Sequence, residues 1–260
     1  MNQIKQSVRV PKSPISNSSD SDRISLTQFW RGRNLDSQLL LDRLTVHNVS
    51  IFFAYAGYRL NLSANHISAG SGLFSLLALI AAATMGTDSA TMPVLTIFAL
   101  SHFSYILDCA DGQLARATGT TSPYGAFLDR AMDLVGIQLQ YSAFFIFLYR
   151  YYMAAGSTFE AQLWLFGGLT FVFFYLARFT VWQFFLHLMP ETYEDSKGTP
   201  NVASEILKGL IDHQVVVLTM LVFLISPMAC LAIFTLQALL LCAIWLRYFK
   251  RGLQYTTDTK

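Results

Sequence analysis

The sequence predicts an all-α integral membrane protein: six transmembrane helices preceded by an amphipathic helix lying at the membrane interface. Three observations predict it. Of 260 residues, 53% are hydrophobic and only 13% charged, the composition of a chain that buries most of its surface in lipid. Apolar runs of ~20 residues, long enough to cross a hydrocarbon core, recur from His66 onwards. Basic residues gather at the two ends: about eight Lys and Arg precede the first run, and Arg247, Lys250, Arg251 and Lys260 follow the last. The net charge of +2 is too small to suggest a nucleic-acid partner. Cys109, Cys230 and Cys242 lie in or beside apolar segments without metal-ligand spacing, so they read as buried thiols and not as a disulfide framework.

Residues 1–35 are polar, rich in Ser, Asn, Lys and Arg, and lack the apolar core of a signal peptide. They predict a disordered cytosolic tail. Residues 36–62 are amphipathic: Leu39, Leu40, Leu41, Leu44, Val49, Ile51, Phe52 and Phe53 are interrupted by Asp42, Arg43, His47, Tyr58 and Arg59. No apolar run there is long enough to cross, so the helix should lie along the interface. The transmembrane domain spans residues 63–248, and 249–260 form a cytosolic C-terminal tail. The expected spans run from about His66 to Met85, Pro93 into the polar stretch beginning at Asp108, Pro123 to Tyr152, Ala161 to Leu188, Ser204 to Ile225, and Met228 to Leu246. An even number of spans puts both termini on one side. The opposite loops offer essentially only Arg150, so the positive-inside rule places the termini in the cytosol, with the turn at 116–122 and the loop from Pro190 to Val202. The membrane is of the bacterial inner or endoplasmic-reticulum type.

The chemistry is concentrated between Asp108 and Asp133. This stretch holds four carboxylates, three glycines and two arginines between apolar flanks. Asp108 and Asp111 are three residues apart, and Asp129 and Asp133 four apart, so each pair shares one face of a helix. Ser122 as N-cap and Pro123 as first helical residue start the second helix after a short turn. Two antiparallel helices would then bring both pairs to the same depth. An Asp at the bilayer centre costs ~2.5–3.5 kcal/mol on the insertion scale, so such a group requires partners, water or a metal. Carboxylate oxygens at this density suit a hard divalent cation, Mg²⁺ or Mn²⁺, which also takes oxygens from a phosphorylated substrate. Gly112, Ala115 and Gly125, each one turn from an acid, leave room for a ligand to approach the backbone. Arg116, at the end of the first helix, is placed to contact phosphate.

The pattern Asp108-x2-Asp111-Gly112-x2-Ala115-Arg116-x8-Gly125-x3-Asp129-x3-Asp133 fixes eight residues over 26 positions. It resembles the signature of the CDP-alcohol phosphatidyltransferases, with every fixed position filled. Asn65-His66-Ile67-Ser68 resembles more weakly the Pro-Asn-x-x-Thr stretch that opens that family's first membrane helix, with Ala64 for proline and Ser68 for threonine. The resemblance implies that Asp108, Asp111 and Asp129 are metal ligands. It implies that Asp133 is the general base and also touches a second metal. It implies that Gly112, Ala115 and Arg116 hold cytidine and phosphates, with Gly125 lining the same pocket. The implied reaction is metal-dependent transfer of a substituted phosphate from a CDP-alcohol to a hydroxyl, with release of CMP, in phospholipid synthesis. The donor is expected to be CDP-diacylglycerol and the acceptor a small polar alcohol. The alternative is transfer from a CDP-aminoalcohol to diacylglycerol. Homodimers are also known in that family, and the aromatic-rich fourth span is a candidate interface.

Three further polar sites need an assignment. Arg178 is embedded among Phe171, Phe173, Phe174, Tyr175, Phe179 and Trp182, and an arginine inside a membrane helix is a functional candidate. Ser204, Lys208 and Asp212 recur every four residues, with His213 beside them, as either a wall of the active cavity or a wet helix end. Arg130 points ~100° away from the carboxylate face, towards phosphate or a neighbouring helix. Arg130, Arg178 and Lys208 together would hold a phosphorylated acceptor. His102, Phe103 and Tyr105 read as packing. A divalent-cation transporter, the reading from a different class, would need polar groups through the full membrane depth, whereas the outer halves of the spans are nearly free of charge.

Overall fold

The computed structural model describes residues 24–31, 45–188, 206–207 and 209–258. Of the expected tail at 1–35, residues 1–23 and 32–35 lie outside the described residues, as do 36–44 of the amphipathic segment, the loop from Pro190 to Val202, Ser204 and Lys208. Among the described residues every regular element is helical. In chain order they are α1 (Leu26–Arg31), α2 (Val46–Arg59), α3 (Ala64–Thr84), α4 (Thr91–Thr118), α5 (Pro123–Ala154), α6 (Thr158–Leu188), α7 (His213–Val222) and α8 (Pro227–Asp258). Helices α3, α4, α5, α6 and α8 are long and apolar enough to cross a membrane, and α7 continues as a shorter apolar segment to Ile225. The all-helical, multi-pass membrane architecture predicted from composition is the architecture observed.

Helix α2 is shaped by its two faces. Val46, His47, Ser50, Ile51, Ala54 and Gly57 are buried, and this face packs on α4. Val49 and Phe52 remain exposed on the other. Buried Gln113 of α4 donates from Nε2 to Ser50 Oγ at 2.7 Å and to the His47 carbonyl at 3.3 Å, pinning the two helices together. Helix α3 opens with a reciprocal cap. The His66 backbone N–H donates to Ser63 Oγ, and the Ser63 N–H donates to His66 Nδ1 at 3.2 Å, which satisfies two of the orphan donors of a first turn. Helix α3 packs against both α4 and α5, more extensively than those two pack on each other.

The turn between α4 and α5 is set by local chemistry. Gly119 closes α4 at φ 67° and ψ 22°, a left-handed conformation that a side chain would disfavour. Ser122 then caps α5 by accepting from Gly125 N at 3.0 Å, with Pro123 in the first turn, as the sequence predicts. The core lies further along the bundle, where Tyr141, Phe144, Phe147, Trp164, Phe171 and Phe223 meet. Edge-to-face contacts such as Phe144–Phe223 (centroids 6.2 Å, 87°) fill it.

Three expectations are corrected. Residues 26–31, expected within a disordered tail, form α1, whose Phe29 is buried against Tyr55 and Tyr58 of α2. The stretch from Ser204 to Ile225 is not one continuous helix. A turn interrupts it at 211–212, and α7 starts at His213 with Asp212 as N-cap, its Oδ1 accepting from Gln214 N at 2.9 Å. An Asp that captures the orphan N–H groups of a new helix competes with helix continuation at that point, and Gly209 just before it is a poor helix former. Asp212 therefore heads a helix and is not an interior position of one. At the C-terminus the last helix runs on to Asp258, through most of the stretch expected as a tail. Arg150 spans two helices: Nη1 donates to the carbonyls of Ala82 (2.6 Å) and Met85 (3.1 Å) at the end of α3. Arg150→Met should leave these carbonyls without their charged donor and lower unfolding stability by about 1–3 kcal/mol. A thermal melt in detergent checks this, and an unchanged midpoint would contradict it.

Candidate active site

Helices α4 and α5 carry the four acids, and the short Gly119–Ser122 turn returns one against the other. One carboxylate oxygen each from Asp108, Asp111 and Asp129 lie within 4.8 Å of one another. Asp133, one turn beyond Asp129, comes within hydrogen-bonding reach of Asp108, and Asp129 within reach of Asp111. The two pairs separated by the turn thus form one cluster. Asp111 is the most enclosed, 3% exposed. Its Oδ2 accepts from the Ser68 hydroxyl, so the start of α3 reaches the cluster. Three convergent carboxylates, each offering one oxygen, fit a single divalent ion. An octahedral ion with ~2.1 Å bonds separates its ligand oxygens by ~3–4 Å, within the spacing found here.

Two cations border the cluster, since the charges of both Arg130 and Arg116 reach Asp129. Arg116 folds back along α4, so that a Cβ placed on Gly112 would lie 3.1 Å from its Nη1. Gly112 thus provides the space in which this guanidinium sits. Gly125 is tied into the α5 cap, and Ala115 is half-buried on α4.

Beside the acids a cavity of about 340 Å³ opens between α3, α4, α5, α6 and the start of α7. Asp108 and Asp133 form one wall; Arg178, Asp212 and His213 line it from the other helices. Arg178 is the one member of the expected cationic trio that lines this cavity. Arg130 is not among its walls, and Lys208 lies outside the described residues. Tyr105, expected to be packing, lines the cavity, and its ring is 4.7 Å from the His213 ring. Phe103 does pack, edge-on against Phe53 and Phe74, and His102 stacks on Phe98.

The sequence reading gave no role to Gln140, Tyr141, Ser71, Ser75 or Ser104. Buried Gln140 donates to Ser75 Oγ (2.9 Å) and Ser104 Oγ (3.1 Å), and Ser104 in turn contacts Ser71. Tyr141 Oη meets His213 Nδ1 at 2.8 Å. The available signal was Gln140 itself, one of few polar side chains in the apolar run of α5.

A model of the CDP-alcohol phosphatidyltransferase family matches residues 61–249, from the loop before α3 well into α8. The chain belongs to that family. The matched region takes in the carboxylate cluster and every described helix that lines the cavity. CDP-alcohol phosphatidyltransferases are membrane phosphotransferases of phospholipid synthesis. They take a CDP-alcohol and an alcohol acceptor and generally depend on a divalent metal, which the clustered acids suit. No curated protein matches the chain. If the cluster holds the metal, Ser68→Ala should weaken Mn²⁺ binding about tenfold by releasing Asp111 from its positioning hydrogen bond. Asp111→Asn should weaken it further. Mn²⁺ titration followed by electron paramagnetic resonance reads both, and wild-type affinity in the two variants would exclude this cluster as the metal centre.

Proposed function

We propose that this CDP-alcohol phosphatidyltransferase moves the phosphatidyl group of CDP-diacylglycerol to the hydroxyl of a small polar alcohol and releases CMP. The observation that carries the reading is the convergence of Asp108, Asp111 and Asp129 beside a cavity, lined by Asp108 and Asp133, that is large enough for a small acceptor. Asp108, Asp111 and Asp129, with Asp133, would hold Mg²⁺ or Mn²⁺. When bound, such a cation offsets the crowded negative charge and polarises the pyrophosphate for departure of CMP.

The protein's own groups do the rest. Gly112, Ala115, Arg116 and Gly125 receive the cytidine and phosphates on the side of the Gly119 turn, where Gly112 keeps the Arg116 guanidinium close to the backbone. Asp133 faces the cavity and takes the proton of the acceptor hydroxyl. The hydroxyl oxygen then bonds to the lipid-bearing phosphorus as its bond to the CMP oxygen breaks. Arg178, on the opposite wall, orients the acceptor. Basic residues at both chain ends support a cytosolic site, where nucleotide donors are available, with the exposed apolar face of α2 lying on the inner membrane surface. A small acceptor, and hence a lipid donor, also accords with the modest number of membrane helices. Transport of the ion is disfavoured by the aromatic core beyond the cavity, where Phe144, Phe147, Trp164 and Phe223 pack together.

Purified protein in detergent should release CMP from CDP-diacylglycerol when Mn²⁺ and the right alcohol are present, and stop when a chelator is added. Asp133→Asn should abolish turnover yet retain CDP-lipid binding; loss of both would make Asp133 principally a ligand. Arg178→Ala should raise the acceptor KM with the donor KM unchanged. An equal change in both would mean that Arg178 serves the donor or the fold.

A further inference from the structure

The cavity beside the acids carries both signs of charge away from the reaction centre. Arg178 of α6 lines it, its guanidinium carbon 6.0 Å from the Tyr175 ring centroid. Asp212 lines it from the start of α7, and the two charges sense each other across it. Asp212 is fixed in place because Oδ1 accepts from the Gln214 N–H. This holds the carboxylate in one orientation and leaves it lone pairs for a further donor. Gln140 also lines the cavity, with Nε2 committed to Ser75 and Ser104. The remaining walls are largely aromatic or apolar: Tyr105, Tyr175, Phe179, Met132 and Ile137.

A phosphomonoester brings about two negative charges and few donors. Among the described residues it would meet one arginine, but also the Asp212 carboxylate, which repels it. A simple cation would meet Arg178. The complementary ligand has a carboxylate for Arg178, an ammonium for Asp212, and a hydroxyl that reaches Asp133. We infer that the acceptor is a zwitterionic hydroxy amino acid, its carboxylate held by Arg178 and its ammonium by Asp212. This inference rests on the transferase reading above and narrows it to one acceptor class.

The test follows CMP release from CDP-diacylglycerol and Mn²⁺ by the full-length protein in detergent. Four alcohols are offered separately: L-serine as zwitterion, choline as cation, glycerol 3-phosphate as anion and inositol as neutral polyol. Release with L-serine, well above the other three, is expected. Asp212→Asn keeps the N-cap, because Asn caps as well as Asp, and removes only the charge. It should raise the KM for L-serine roughly tenfold, the loss expected for a hydrogen bond to a charged group, with the donor KM unchanged. Turnover preferring glycerol 3-phosphate, choline or inositol overturns the zwitterion assignment and leaves the transferase reading standing. Serine turnover with an unaltered KM in Asp212→Asn overturns the role of Asp212. No CMP with any of the four counts against the transferase reading itself, and the inference falls with it.

Discussion

The constraint that shapes this protein is the need to hold four like charges together in an apolar chain. Carboxylates a few ångströms apart repel, and burial removes the water that would screen them. The fold has to supply that crowding by rigid means. It does so with a turn that admits few alternatives, Gly119 in a left-handed conformation followed by the Ser122–Pro123 cap. It also uses a third helix as a brace. Because α3 packs on both α4 and α5 more than they pack on each other, the two acid-bearing helices are held at a separation that leaves space beside them. The cavity is the gap that α3 keeps open, and Ser68 is where the brace touches the acids.

The same brace explains the serines. Ser71, Ser75 and Ser104 with Gln140 form a buried polar seam between α3, α4 and α5. In a membrane protein the hydrophobic effect contributes little to holding helices together, and small side chains with interhelical hydrogen bonds take its place. Gly136 belongs to the seam too, since a Cβ there would lie 3.2 Å from Ser75 Oγ. Polar seams of this kind fix register. A slip of one residue along α5 would move Asp129 and Asp133 out of line with Asp108 and Asp111.

Much of this was legible in the sequence because it is local. The spacing of the acids, the Ser122 cap, the length of the apolar runs and the membrane class all depend on neighbours in the chain. The break at Asp212 was less legible. The same Asp that reads as a polar position every fourth residue is also a strong N-cap, and spacing cannot say which role wins. Gln140 and Tyr141 were given no role for another reason: their partners lie 36 to 72 residues away, and nothing local names them. Arg178 could be flagged as an anomaly within an aromatic helix. That it shares a cavity with Asp212 while Arg130 does not is a fact of helix packing.

Arg150 has a bearing on how the brace is anchored. Its guanidinium is bound by the carbonyls of Ala82 and Met85, at the negative end of the α3 dipole. It comes from the C-terminal end of α5, so it joins the same ends of two helices that the chain separates by α4. Ser68 meets Asp111 near the opposite end of α3. The brace is therefore tied to its neighbours at both ends, and a tilt of α3 that opened the acid cluster would also have to pull two main-chain carbonyls from a charged donor.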